Sequence, residues 1–279
     1  MPYSTLIGVA ELQALQAAGA PLALLDCGFE LSDTDAGARA FHAGHLPGAL
    51  YAHLDADLSG PKTGRNGRHP LPTREALAAS AGRWGIAPGV PVVTYDAQGA
   101  PYASRAWWLL RWLGHDTVAV LDGGKAAWLA AGGALSTAAP SVAAMPPYPA
   151  HAPAMPTIDA DSLLARLAEL QVLDARAGER YRGEVEPLDA VAGHIPGATL
   201  RFFKDNLGAD GRFKPAAQLR AEFEALAVPG RPAVQQCGSG VTACHNLLAM
   251  AHAGLGLSTL YPGSWSEWCS DPQRPVARG

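Results

Sequence analysis

The chain repeats itself, and this limits the folds open to it more than any other feature. Leu24-Leu25-Asp26 returns as Val172-Leu173-Asp174, and Gly44-His45-Leu46-Pro47-Gly48-Ala49 returns as Gly193-His194-Ile195-Pro196-Gly197-Ala198. Trp128 has its echo in Trp268, each a few residues past a glycine turn. The offsets are 148 residues at the aspartates, 149 at the His-Pro turns and 140 at the tryptophans. So steady a shift marks an internal duplication of a unit of roughly 120–140 residues.

Within each copy, short apolar runs alternate with helical patterns. Residues 21–26, 90–96 and 118–121 read as buried strands, and 73–84 as a helix with Thr73 as its N-cap. Further helical patterns follow at 105–113, 125–131 and 218–226. Such alternation predicts an α/β fold, a parallel sheet with helices on both faces. The stretch 232–236 (Pro-Ala-Val-Gln-Gln) is a weakly apolar strand, legible only beside its counterpart Val92-Val93-Thr94-Tyr95. Between the copies, six prolines from Pro140 to Pro156 forbid a helix or a central strand. The expected organisation is residues 1–138, an extended linker at 139–156, and residues 157–279. A glycine-rich basic loop, residues 59–72, reads as flexible.

Composition narrows the function by exclusion. A net charge of −4 over 279 residues gives no footprint for nucleic acid or an anionic membrane surface. No apolar run approaches the roughly 18–20 residues that span a bilayer. Residues 1–10 lack the basic-then-apolar signature of a secretory signal. Four cysteines without paired C-x-x-C spacing argue against a disulfide scaffold, a zinc site or any other metal centre. A reducing, cytoplasmic setting and a monomer without cofactor are the expectation.

The chemistry points to residues 235–244, Gln-Gln-Cys-Gly-Ser-Gly-Val-Thr-Ala-Cys. Cys237 stands between a strand and a helix, at the carboxyl end of the strand, where parallel sheets place their sites. Backbone N–H groups and the positive end of a helix favour a negatively charged sulfur there. The loop alone also admits a bland reading, a small buried residue at a tight turn. Aligning the halves puts Asp96 opposite Cys237, as a helix-capping or interface residue. A carboxylate cannot take up sulfur, so the second half is read as catalytic and the first as inactive.

At this point the chain resembles the two-domain sulfurtransferases, the rhodanese and 3-mercaptopyruvate sulfurtransferase group. The likeness rests on both Gly-His-x-Pro-Gly-Ala turns, the Asp26 and Asp174 strands, residues 263–268 (Gly-Ser-Trp-Ser-Glu-Trp) and the active loop. It implies two tandem rhodanese-like domains and a ping-pong transfer. The Cys237 thiolate takes sulfur from a small anionic donor, and a thiol such as thioredoxin, or cyanide, removes it. Gly238, Ser239, Gly240, Val241 and Thr242 look like the mercaptopyruvate-type loop, since the thiosulfate type carries Arg and Lys after the cysteine.

By the same resemblance Arg180 binds the donor's anionic end, and Ser239, His69 and Asp55 form a relay for the thiol proton. Family members often carry a second arginine in a following Pro-Arg-Asp segment. This chain has Pro187-Leu188-Asp189, with Arg182 and Arg201 as the nearby substitutes. His45 and His194, present in both halves, read as structural, and Cys244, two turns into the helix, as core. Trp265 is a candidate for the pocket wall. A cysteine phosphatase is excluded because its loop ends on an Arg, whereas residues 242–244 are Thr-Ala-Cys. Thiosulfate:cyanide transfer and a non-catalytic persulfide carrier remain the alternatives.

Overall fold

The computed structural model describes residues 3–149 and 151–279. Met1 and Pro2 of the N-terminal stretch and residue 150 of the linker lie outside them. The chain forms two compact units that are not contiguous in sequence. The first comprises Met1–Gly60, Pro72–Ala154 and Asp210–Arg212; the second comprises Pro61–Leu71, Met155–Ala209 and Phe213–Gly279. Among the described residues no helix is long and apolar enough to cross a membrane.

In the first unit the order is β1 (Leu6–Ile7), α1 (Val9–Ala17), β2 (Ala23–Asp26), α2 (Ala36–Ala43), β3 (Ala49–Tyr51), α3 (Arg74–Arg83), β4 (Val92–Tyr95), α4 (Pro101–Leu113), β5 (Val118–Leu121) and α5 (Gly124–Ala130). The strands form one all-parallel sheet in the order β1-β5-β4-β2-β3. Strands β2, β4 and β5 are buried along their whole length, so their apolar runs are continuous rather than alternating. Thr73 caps α3 as expected, its side chain accepting from the Ala76 N–H at 3.1 Å.

The second unit runs α6 (Ala160–Ala165), β6 (Gln171–Asp174), α7 (Gly178–Arg182), β7 (Thr199–Leu200), a 3₁₀ turn (Phe203–Asn206), α8 (Ala216–Leu226), β8 (Ala233–Gln236), α9 (Thr242–His252), β9 (Thr259–Leu260) and α10 (Ser264–Trp268). Its parallel sheet has the order β7-β6-β8-β9. The outer strand of the first unit survives here as one parallel bridge, Thr157 to Leu260. Registers match between the units: Asp26 sits beside Tyr95, and Asp174 beside Gln236. The residue after each, Asp96 or Cys237, therefore begins an equivalent loop.

The repeated turns are built alike. His45 Nδ1 donates to the Phe41 carbonyl at 2.9 Å and stacks on that ring at 4.0 Å between centroids. His194 Nδ1 donates to the Tyr181 carbonyl at 2.8 Å and stacks on Tyr181 at 3.9 Å. Each histidine also pairs its backbone with a later segment, His45 with Ser136 and His194 with Ala277. Both are fastenings that close a unit.

Candidate active site

β8 delivers Cys237 to the end of the second sheet, and the short α10 fixes the loop that follows. The Cys237 N–H donates to Ser264 Oγ at 3.1 Å, and its carbonyl accepts from the Trp265 N–H at 2.9 Å. The Gly238 carbonyl accepts from the Ser266 N–H at 3.0 Å. Ser264 adopts φ +53°, a left-handed conformation costly for a residue with a Cβ. Its hydroxyl holds it there, bonded to Cys237 on one side and donating to the Tyr261 carbonyl at 2.9 Å on the other.

The sulfur faces inward. Cys237 is 1% exposed, and its Sγ accepts from the Gly240 N–H at 3.1 Å. In so dry a setting an amide dipole acts on a charged sulfur more strongly than in water. Gly240 is required for this turn: its φ is +75°, and a Cβ would lie 2.2 Å from the Pro262 carbonyl oxygen. Cys244 falls in the first turn of α9, not two turns in, and its thiol donates to the Gly240 carbonyl at 3.3 Å. Of the other loop residues, Val241 is buried at the helix cap and Thr242 opens α9, half-buried.

His69 Nδ1 lies 2.8 Å from Ser239 Oγ, and both residues are buried. His69 arrives on the segment Pro61–Leu71, which belongs to the second unit. This basic loop is pinned rather than loose. Asn66 ties its turn through Thr63 N–H and the Pro61 carbonyl, and the Arg68 N–H donates to Ser266 Oγ at 3.0 Å. Asp55 belongs to the first unit, where its N–H donates to His53 Nδ1 at 3.1 Å.

A chain of alternating charges leads from the sheet to the loop. Asp174, fully buried, accepts from Arg176 at 2.7 Å; Arg176 in turn lies 3.6 Å from Glu186. Glu186 pairs with Arg180 at 2.7 Å, Arg180 reaches Asp189 at 3.3 Å, and Asp189 also pairs with Arg68. Burial works against the Arg176 charge, yet Asp174 and Glu186 beside it hold the guanidinium above its ordinary range. Its cation lies over the Trp265 ring at 4.8 Å. Trp265 is fully buried under this pair, its Nε1 donating to the Val191 carbonyl, so it supports the cluster.

Arg180 sits where the sequence expected it, against the loop: a Cβ built on Gly238 would lie 3.3 Å from its Nη1. The two substitutes expected for the missing second arginine do not. Arg182 is exposed and paired with Glu184, and Arg201 is tied to Glu222 and Asn206 with its cation over Phe223. Instead Arg68 Nη2 lies 2.8 Å from that same Gly238 position. Sequence reasoning passed over it as one cation of a basic loop; its place just before His69 was the available signal.

The family profile described as rhodanese-like domain matches twice, at residues 8–131 and 159–271. The chain is 52% identical over 265 residues to a probable 3-mercaptopyruvate sulfurtransferase of Pseudomonas aeruginosa, covering 92% of this chain and 93% of that one. It is 41% identical over 278 residues to a putative thiosulfate sulfurtransferase of Mycobacterium tuberculosis, covering 98% and 97%. The solved structure of 3-mercaptopyruvate sulfurtransferase from Leishmania major superposes with a TM-score of 0.85 at 28% identity, over 99% of this chain and 77% of that one.

Proposed function

Because the chain belongs to the rhodanese-like family, with two such domains in tandem, we propose that it is a sulfurtransferase working through a persulfide on Cys237. The second domain, about residues 157–279, is the catalytic one, and the first, about residues 1–138, is inactive with Asp96 in the cysteine's place. The observation that carries the reading is the buried Cys237 sulfur under the Gly240 amide, with Ser239 of the same loop bonded to His69.

The donor of choice is 3-mercaptopyruvate. The Cys237 thiolate attacks the donor's thiol sulfur, the carbon–sulfur bond breaks, and its electron pair leaves on carbon as the enolate of pyruvate. The thiol proton passes through Ser239 and His69 and ends on that carbon, so the products are pyruvate and the Cys237 persulfide. Asp55 is carried over from the family pattern as the carboxylate of that relay. Thiosulfate has no thiol proton, and a hydroxyl–imidazole pair beside the cysteine would have nothing to move. A small thiol, thioredoxin or cyanide then accepts the outer sulfur and returns the thiolate.

Steady-state turnover with 3-mercaptopyruvate and with thiosulfate, cyanide as acceptor, tests both parts. Turnover with mercaptopyruvate that vanishes in Cys237→Ser is expected. A higher thiosulfate rate would reverse the donor, and no turnover with either would leave a persulfide carrier.

A further inference from the structure

We propose that Arg68 is the second guanidinium of the donor site, recognising the carboxylate of a 2-oxo acid together with Arg180, with Asp189 as the counter-ion the two share. This rests on the sulfurtransferase reading and names the part of the chain that makes it selective for a carboxylate donor.

Four observations converge on it. Arg68 Nη2 and Arg180 Nη1 lie 2.8 and 3.3 Å from a Cβ built on Gly238, the residue after the nucleophile. One carboxylate serves both, Asp189 Oδ1 pairing with Arg68 and Oδ2 with Arg180. Of the three arginine side chains in the charge chain, Arg68 is 25% exposed and Arg180 17%, while Arg176 at 1% is closed to any ligand. The Arg68 Nε is buried without a hydrogen-bond partner, and Arg68 lines a cavity of about 310 Å³ together with Lys62, Leu188, Asp189 and Cys269 among others. A planar fork with an N–H still unpaired is what a second carboxylate needs for a bidentate pair. Leu188 lines that cavity too. The cation missing from position 188 is thus supplied from position 68 across the same space.

A role for Arg68 as counter-ion of Asp189 alone is separated from this one by experiment. Binding of 3-mercaptopyruvate is measured by calorimetry in full-length Cys237→Ser protein, which cannot turn it over. In that background Arg68→Met weakens binding about tenfold or more, with an unchanged melting temperature. Asp189→Asn, which keeps both cations, shifts binding less than about threefold, and Leu188→Arg added to Arg68→Met restores it to within about threefold. Arg68→Lys, keeping charge without the fork, falls between. Unchanged binding in Arg68→Met, or equal losses in Arg68→Met and Asp189→Asn, overturns the proposal. Turnover by the protein with Cys237 intact is a separate reading: its absence alongside the expected binding series would sink the transferase reading and leave Arg68 as the carboxylate anchor.

Discussion

Equivalent loops at the ends of β4 and β8 present the same ring of backbone and fill it differently. In the first unit the Asp96 carboxylate accepts four amides: Gln98 at 2.9 Å and Ala100 at 2.8 Å on one oxygen, Tyr102 and Ala103 at 3.0 Å each on the other. Burial pushes its carboxyl above the ordinary range, against the pull of those amides. In the second unit the Gly240 amide reaches the Cys237 sulfur. The difference is one of reach. A carboxylate oxygen stands three bonds from its Cα, as the outer sulfur of a persulfide would from the Cα of Cys237. Asp96 thus occupies permanently the place that sulfur would fill in transit.

The surroundings diverge in step. Gly124 packs so tightly on the first loop that a Cβ would sit 2.2 Å from the Asp96 carbonyl oxygen. The matching Ser264 keeps the left-handed backbone and uses its hydroxyl to anchor Cys237. Two residues after the strand-end aspartate stands Gly28 in one half and Arg176 in the other. Only the second unit's aspartate therefore begins the chain of charges ending at Arg68. A duplicated scaffold supplies the amide ring; the chemistry depends on what each copy adds around it.

The comparison breaks most severely at the cysteine. Cys237→Ser should reduce sulfur transfer to background in the cyanide assay, and adding Asp96→Cys should not restore it, because Gly28 leaves the first loop without its cations. Arg176→Met strands Asp174 as a buried charge, and urea unfolding should record a loss of about 3–5 kcal/mol. Asp96→Ala deprives buried amides of their acceptor, a loss of about 1–3 kcal/mol by the same measurement, with turnover at Cys237 within about threefold of the parent.

The smallest effect is on pH. Glu222 is pulled down to about 2; burial opposes this, and its bonds to Lys214, Arg201 and Gln218 outweigh burial. A carboxylate held low stabilises the fold above its unfolded value near 4.5 and loses that stability as pH falls toward 2. Glu222→Gln should therefore cost about 1 kcal/mol at pH 6, after allowing for its partial exposure, and almost nothing at pH 2. Equal losses at both values would contradict the assignment.

Much of this was legible in the chain itself. The duplication foretold two parallel sheets, since Leu24-Leu25-Asp26 and Val172-Leu173-Asp174 are buried strands wherever they occur. Even the doubtful strand holds: Gln235 and Gln236 are buried in β8, polar in type but placed by register. Cys237, Ser239 and Arg180 were readable because each sits inside a short local pattern. The place of Arg68 beside the loop was not, because it is set by contacts with Asp189 and Gly238, more than a hundred residues away. The basic loop read as flexible for the same reason, as its tether to Ser266 lies 198 residues along the chain.

The most direct measurement is peptide-resolved mass spectrometry of the protein after one turnover with 3-mercaptopyruvate and no acceptor. One added sulfur atom on the peptide bearing Cys237, removed by cyanide, is the predicted result. Sulfur on Cys27, Cys244 or Cys269 with Cys237 unmodified would contradict the account.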